Sequence, residues 1–206
     1  MAAQVQKTQN SGIKIGPNDD QTYAWHDLHS TIHTDPDSLN KPSFVTYRGS
    51  IKGRAFTEND EAFIEFHLPH DYVMGSEIFI HAHWSHNSAL VTGGSVTWGF
   101  ELVYAKGHDQ DAFDAPVIVS VAQAASTTAY QHMVAETAMT SVSGGLTTLP
   151  VGDIEPDGVI MCRVYLDSND LTVSAGGIPE PFLHFVDLHY QSTNVGTKNK
   201  APSFWA

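Results

Sequence analysis

The chain has 206 residues, 41% of them hydrophobic, enough to bury a core and suited to one large domain or one domain with arms. Its 23 acidic and 10 basic residues leave a formal charge of −13, which phosphate backbones and anionic lipid repel, so neither direct nucleic-acid binding nor membrane binding is expected. There is no apolar stretch long enough to span a bilayer, no apolar signal-peptide core at the N-terminus, and a single cysteine, Cys162, which excludes an intrachain disulfide; the expectation is a protein made in a cytoplasm and not exported.

Residues 1–22 are polar, with Gly12, Gly16 and Pro17, and are expected to form an N-terminal arm. A second irregular stretch covers 33–43, and from residue 44 onward apolar residues recur with a period of two, the signature of β-strands. FVTYR (44–48) comes first. EAFIEFHLP then sets Ala62, Ile64, Phe66 and Leu68 on one face. EIFIHAHW sets Ile78, Ile80, Ala82 and Trp84 on one face, and Phe79, His81 and His83 on the other. SVTWGFELVYA aligns Val96, Trp98, Phe100, Leu102 and Tyr104, so Trp84, Trp98 and Phe100 are predicted core residues. PVIVSVAQA (116–124), AYQHMVAETAM (129–139), GVIMCRVYL (158–166) and PFLHFVDLHYQS (181–192) follow, separated by Gly, Pro, Asn and Asp clusters. The best helical candidate, Ala122–Ala138, is weakened by Thr127 and Thr128. Cys162, within an apolar run, is expected to be a small buried hydrophobe. About eight strands with long connections predict an all-β fold, a β-sandwich of jelly-roll type over 23–192, with extended N- and C-terminal arms. The C-terminal arm, 193–206, ends in Phe204 and Trp205, which are expected to be held by other chains.

Twelve histidines are many for this length. An H-x-H pair on a strand points both imidazoles the same way, about 7 Å apart along the chain. His81 and His83 therefore suit two ligands of one metal ion, with a trimer axis as one way to multiply them. They equally suit hydrogen-bonded rings on a partly covered face, or a subunit contact. His70 and His189 join them if their strands are neighbours. Phe79, on the same face, favours an interface, since the opposite face already serves the core. Acidic clusters at 109–114 and 167–170 lack the spacing of a calcium-binding EF-hand and read as solvated turns. Motifs of the nucleophile elbow, phosphate-binding loop, dinucleotide fold and zinc protease are missing from the sequence, and no catalytic activity is expected. The H-x-H is a poor match to cupin-type metal enzymes, because the next glutamate is Glu101.

LPHDYVMGSEIFIHAHWS (68–85), GSVTWGFELVYA (94–105) and HYQSTNVGT (189–197), preceded by WHDL (25–28), resemble a family of tailed-bacteriophage virion proteins. In that family an N-terminal W-x-D-L, an L-P-H-x-Y, an H-x-H-W strand, a G-x-V-x-W strand and a late H-Y-Q occur in this order. The resemblance covers residues 25–197. It implies a virion subunit, a jelly roll that assembles as a homotrimer, with the major capsid protein or other virion subunits as partners. A capsid decoration or cement protein is the leading expectation, and a tail-associated or fibre subunit the alternative. A carbohydrate- or receptor-binding module is the reading from another class. Its candidate rings, Trp84, Trp98 and Tyr104, fall on the predicted core face.

Overall fold

The computed structural model describes residues 4–7 and 13–16 as backbone, and 23–108, 110–141 and 148–193 in full. The strands are β1 (Gln4–Lys7), β2 (Ile13–Gly16), β3 (Ala24–His29), β4 (Ser43–Arg48), β5 (Ile51–Ala55), β6 (Glu61–His67), β7 (Phe79–Ser85) and β8 (Val91–Gly93). They continue with β9 (Ser95–Ala105), β10 (Val117–Ala124), β11 (Met133–Ala138), β12 (Thr140–Ser141), β13 (Leu149–Pro150), β14 (Val159–Asn169), β15 (Thr172–Val173) and β16 (Phe182–Ser192). The eight predicted strands all form. Within the predicted N-terminal arm, β1 and β2 pair with each other as an antiparallel hairpin.

Two sheets make the body. One has the order β10-β9-β14-β6, the other β11-β7-β16-β5-β4, with β3 also paired to β16. The pairings nest: β5 with β16, β6 with β14, β7 with β11 and β9 with β10, all antiparallel. A long antiparallel ladder folded at β9–β10 and then rolled, so that β16 also meets β7 and β14 also meets β9, is a jelly roll. The predicted fold class is therefore the observed one.

Alternation explains the core. Ile64, Phe66, Trp98, Phe100, Leu102, Ile160 and Val164 from the first sheet meet Ile80, Ala82, Trp84, Val186 and Leu188 from the second, each at most 1% exposed. Burying a large apolar side chain contributes about 1.5–3 kcal/mol, so this double layer dominates the stability. Trp84 also donates its indole N–H to Gln123 Oε1 at 2.6 Å. Cys162 lies in the same core, and burial pushes its thiol pKa up, as suits an inert packing residue.

The 122–138 stretch holds no helix. β10 ends at Ala124, a turn follows in which Tyr130 takes φ +64°, and β11 begins at Met133. Helical propensity of the alanines yields to cross-strand pairing and core burial. The 167–170 segment is likewise not a free loop, since β14 runs through Asn169. Among the described residues no helix is long and apolar enough to cross a membrane.

Candidate functional site: a histidine–carboxylate row

The outward face of the second sheet carries the histidines, and register decides what they meet. In β7, Ile80, Ala82 and Trp84 point inward, which turns Phe79, His81 and His83 outward. β11 sets Glu136 opposite His81; β16 sets Asp187 opposite His81; β3 sets His29 opposite Asp187. Four adjacent strands thus line up Glu136, His81, Asp187 and His29, alternating carboxylate and imidazole.

The contacts form a chain. His81 Nε2 lies 2.7 Å from Glu136 Oε2 and His81 Nδ1 lies 3.3 Å from Asp187 Oδ1. His83 Nε2 lies 3.2 Å from the same Asp187 oxygen, and His83 Nδ1 is 2.8 Å from His132 Nε2. His29 Nδ1 stands 3.8 Å from Asp187 Oδ2. Phe185 stacks on His83 with ring centroids 3.9 Å apart, and the His132 ring lies near-parallel to His83 with centroids 4.9 Å apart. Phe185 reaches that position because β16 breaks register between Leu183 and Phe185, a β-bulge at His184. Strict alternation from the buried Leu183 would have sent Phe185 inward.

Asp187 is the unusual member: its side chain is 2% exposed, and among the described residues every ion-pair contact it makes is to histidine. Burial alone would raise its pKa, but hydrogen bonds and attraction from His81 and His83 outweigh burial and hold it well below the usual carboxylate range. Burial pulls His81 down, yet Asp187 and Glu136 outweigh it and its pKa ends above the ordinary histidine value. His132 is lowered by burial and by the neighbouring His83. His184 is lowered by burial, then by His132 and His83; it sits 2.8 Å from Ser85 Oγ, which is 2.8 Å from Tyr47 OH.

Among the described residues, three sets of side chains bring their ligand atoms within 4.8 Å of one another: His81, Glu136 and His189; His81, His83 and Asp187; Asp27, His29 and Asp187. The sequence-predicted His81, His83 and His189 are therefore brought together, with His189 and His81 rings 5.2 Å apart. His70 is not part of these sets. It follows the end of β6 in a loop on the other sheet's side, with Nε2 3.8 Å from Asp157. Phe79 is half-buried on the expected face, and part of its cover comes from its own chain, the Trp25 ring at 5.8 Å. Trp84, Trp98 and Phe100 are core residues, as predicted. Phe204 and Trp205 lie outside the described residues. Sequence reasoning missed Asp187, Glu136, His132 and His29. A signal existed for Asp187: it stands alone between apolar Val186 and Leu188 in a strand without another acid.

The motif segments converge here too. WHDL lies on β3, H-A-H-W on β7 and H-Y-Q on β16 between them. The L-P-H-D-Y loop packs on the end of β16: Tyr72 bridges to Ser192, and Tyr190 OH donates to Asp71 at 3.2 Å. GSVTWGF, on β9, contributes to the core of the opposite sheet.

No protein-family model matches the chain, and no curated protein matches it. Among solved structures it is similar to the CBM22-1-GH10 modules of the Clostridium thermocellum endo-1,4-beta-D-xylanase 10B complexed with xylohexaose, at 12% identity and TM-score 0.35 over 80% of this chain and 25% of that one. It is also similar to the xylan-binding module CBM15, at 8% identity and TM-score 0.33 over 83% of this chain and 93% of that one. A third is the Arthrobacter globiformis T6 isomalto-dextranase complexed with panose, at 11% identity and TM-score 0.34 over 84% and 24%. The chain spans about a quarter of the first and third of these structures and nearly all of the second.

Proposed function

We propose that the chain is a non-enzymatic structural subunit of a tailed-bacteriophage particle, a capsid decoration or cement protein that acts as a homotrimer through contacts between its faces. One observation carries this reading: four of the five segments by which the sequence resembles that virion family, far apart in the chain, meet on three adjacent strands and the loop beside them, while the fifth, on β9, packs in the core of the opposite sheet. Most of the resemblance therefore gathers in one region of the fold instead of being scattered short matches. The outer face of the other sheet supports an assembly as well. Phe63, Ile118 and Met161 are 39–49% exposed there, and Phe63 and Met161 border a depression of about 220 Å³. Exposed apolar side chains grouped on one face favour burial against a neighbouring subunit. Cementing is then the burial of interfaces of roughly 1,000 Å² or more between neighbouring shell subunits.

Quantitative mass spectrometry of purified particles tests the reading, with light scattering on the isolated chain. The expected results are a copy number comparable to that of the shell protein, and a trimer. A low copy number moves the protein to the tail. Absence from the particle overturns the proposal.

A carbohydrate-binding module is the second reading, favoured by Trp25, whose ring is 47% exposed on the β3 edge of the same face. The earlier candidates do not serve it, because Trp84, Trp98 and Tyr104 are at most 2% exposed. Glycan-array binding that is lost in Trp25→Ala would favour this alternative over the virion role.

A further inference from the structure

The geometry points to a divalent transition-metal site, zinc being the best fit, built from His81 Nδ1, His83 Nε2 and a carboxylate oxygen of Asp187 on the outward face of the second sheet. This inference does not rest on the virion reading.

Distance comes first. Zinc bonds of about 2.0–2.1 Å to nitrogen and oxygen make the edge of a ligand tetrahedron about 3.3 Å. Asp187 Oδ1 lies 3.3 Å from His81 Nδ1 and 3.2 Å from His83 Nε2, so two edges are already set. All three ligand atoms lie within 4.8 Å of one another. Two imidazoles and one carboxylate with an open position are a donor set used by zinc and other first-row ions.

Support of the ligands is the second observation, independent of the first. A metal-bound imidazole is normally oriented by a hydrogen bond from its other ring nitrogen. His81 directs Nδ1 at the proposed site and Nε2 at Glu136, 2.7 Å away. His83 directs Nε2 at the site and Nδ1 at His132, 2.8 Å away. Stacking against Phe185 and His132 holds the His83 ring further. Glu136 and His132 are positioning residues in this arrangement.

Charge is the third. A buried carboxylate needs a counter-charge, and among the described residues the ion-pair partners of Asp187 are the three imidazoles of His29, His81 and His83. A divalent cation between Asp187 and two neutral histidines supplies that charge. The other two ligand sets depend on exposed groups, Glu136 in one and Asp27 with His29 in the other, and lack this support. His29, 63% exposed and 3.8 Å from the second Asp187 oxygen, marks the solvent side where water or a fourth ligand would enter. All three ligands belong to one chain, so the site requires no trimer axis, and it would cross-link β7 to β16 at mid-strand.

The test uses the full chain, stripped with EDTA and titrated with zinc chloride by calorimetry. Thermal unfolding is followed in parallel, and cobalt(II) absorption reports the coordination. The expected results are one zinc per chain, a melting temperature raised by zinc and restored by EDTA, and a four- or five-coordinate cobalt spectrum. His83→Gln and Asp187→Asn should each weaken zinc by more than about 100-fold, and Glu136→Gln by about 10-fold. His70→Gln, at the Asp157 cluster, should leave binding unchanged and so controls for adventitious histidine binding. Should Asp187→Asn fail to fold, His83→Gln decides. Absence of stoichiometric zinc in the parent chain overturns the site, as does full zinc affinity in folded His83→Gln.

Discussion

Two aspartates gather histidines in this molecule, in different ways. Asp187 lies mid-strand in β16 with a side chain 2% exposed, and its partners His29, His81 and His83 come from the strands on either side. Asp157 lies in the loop before β14, in the left-handed backbone region at φ +67°, with its side chain 23% exposed. His67 and His108 approach it at 2.8 and 2.9 Å, and His70 at 3.8 Å. The contacts at Asp157 are the shorter ones, yet they are the weaker constraint. Water screens an exposed pair and competes for its partners, whereas a buried carboxylate has only the groups that register puts beside it. Local packing ties the Asp157 loop down by other means: a Cβ on Gly107 would collide with the Asp157 carbonyl, so that approach requires glycine. The number of histidines near an acid therefore says less than where the acid sits.

The contrast can be broken by experiment. The largest effect is expected from Asp187→Ala, which leaves His81 and His83 facing a gap; a loss of about 3–5 kcal/mol in urea unfolding at neutral pH is expected, and a loss below about 1 kcal/mol would place Asp187 in the same class as Asp157. The pH dependence of the metal-free protein sharpens the same point. Asp187 has its folded pKa depressed, so its contribution is complete above the ordinary carboxylate range and is lost as pH falls through that range toward the folded value. His81 has its folded pKa raised, so its contribution is complete below the ordinary histidine value and is lost as pH rises through the folded one. Stability should decline on both sides, the acid limb flattening in Asp187→Asn and the limb above neutral histidine pH flattening in His81→Gln. Unfolding curves across pH check both. Phe185→Ala should cost about 1 kcal/mol through lost stacking on His83, and a His83 ring signal unmoved in NMR would argue against that contact. Smallest of all, Asp157→Asn should change stability by less than about 1 kcal/mol.

Much of the fold was legible beforehand because period-two patterning reports which strand faces are buried, and eight segments carried it clearly. β3 and β5 escaped notice. β3, AWHDLH, has mostly exposed residues and, among the described residues, pairs with β16 alone, while β5, IKGRA, is polar and partly covered. Neither needs an apolar alternation to be held. The candidate site was legible by half. H-x-H on a strand announces two imidazoles on one face, and that was correct. Which acid they meet depends on strands about fifty and one hundred residues away, and Asp187 and Glu136 enter through pairing alone. His70, eleven residues before His81 in sequence, went elsewhere because its loop turns toward Asp157.

Composition and alternation by themselves determined that this chain is an all-β sandwich with an apolar interior, because each residue's inward or outward direction follows from its neighbours two positions away. The nesting of the strands, the β-bulge at His184 and the row from Glu136 to His29 were decided by tertiary structure. Register links residues with no local relation, and a carboxylate becomes a buried, histidine-bound group only when those links close around it.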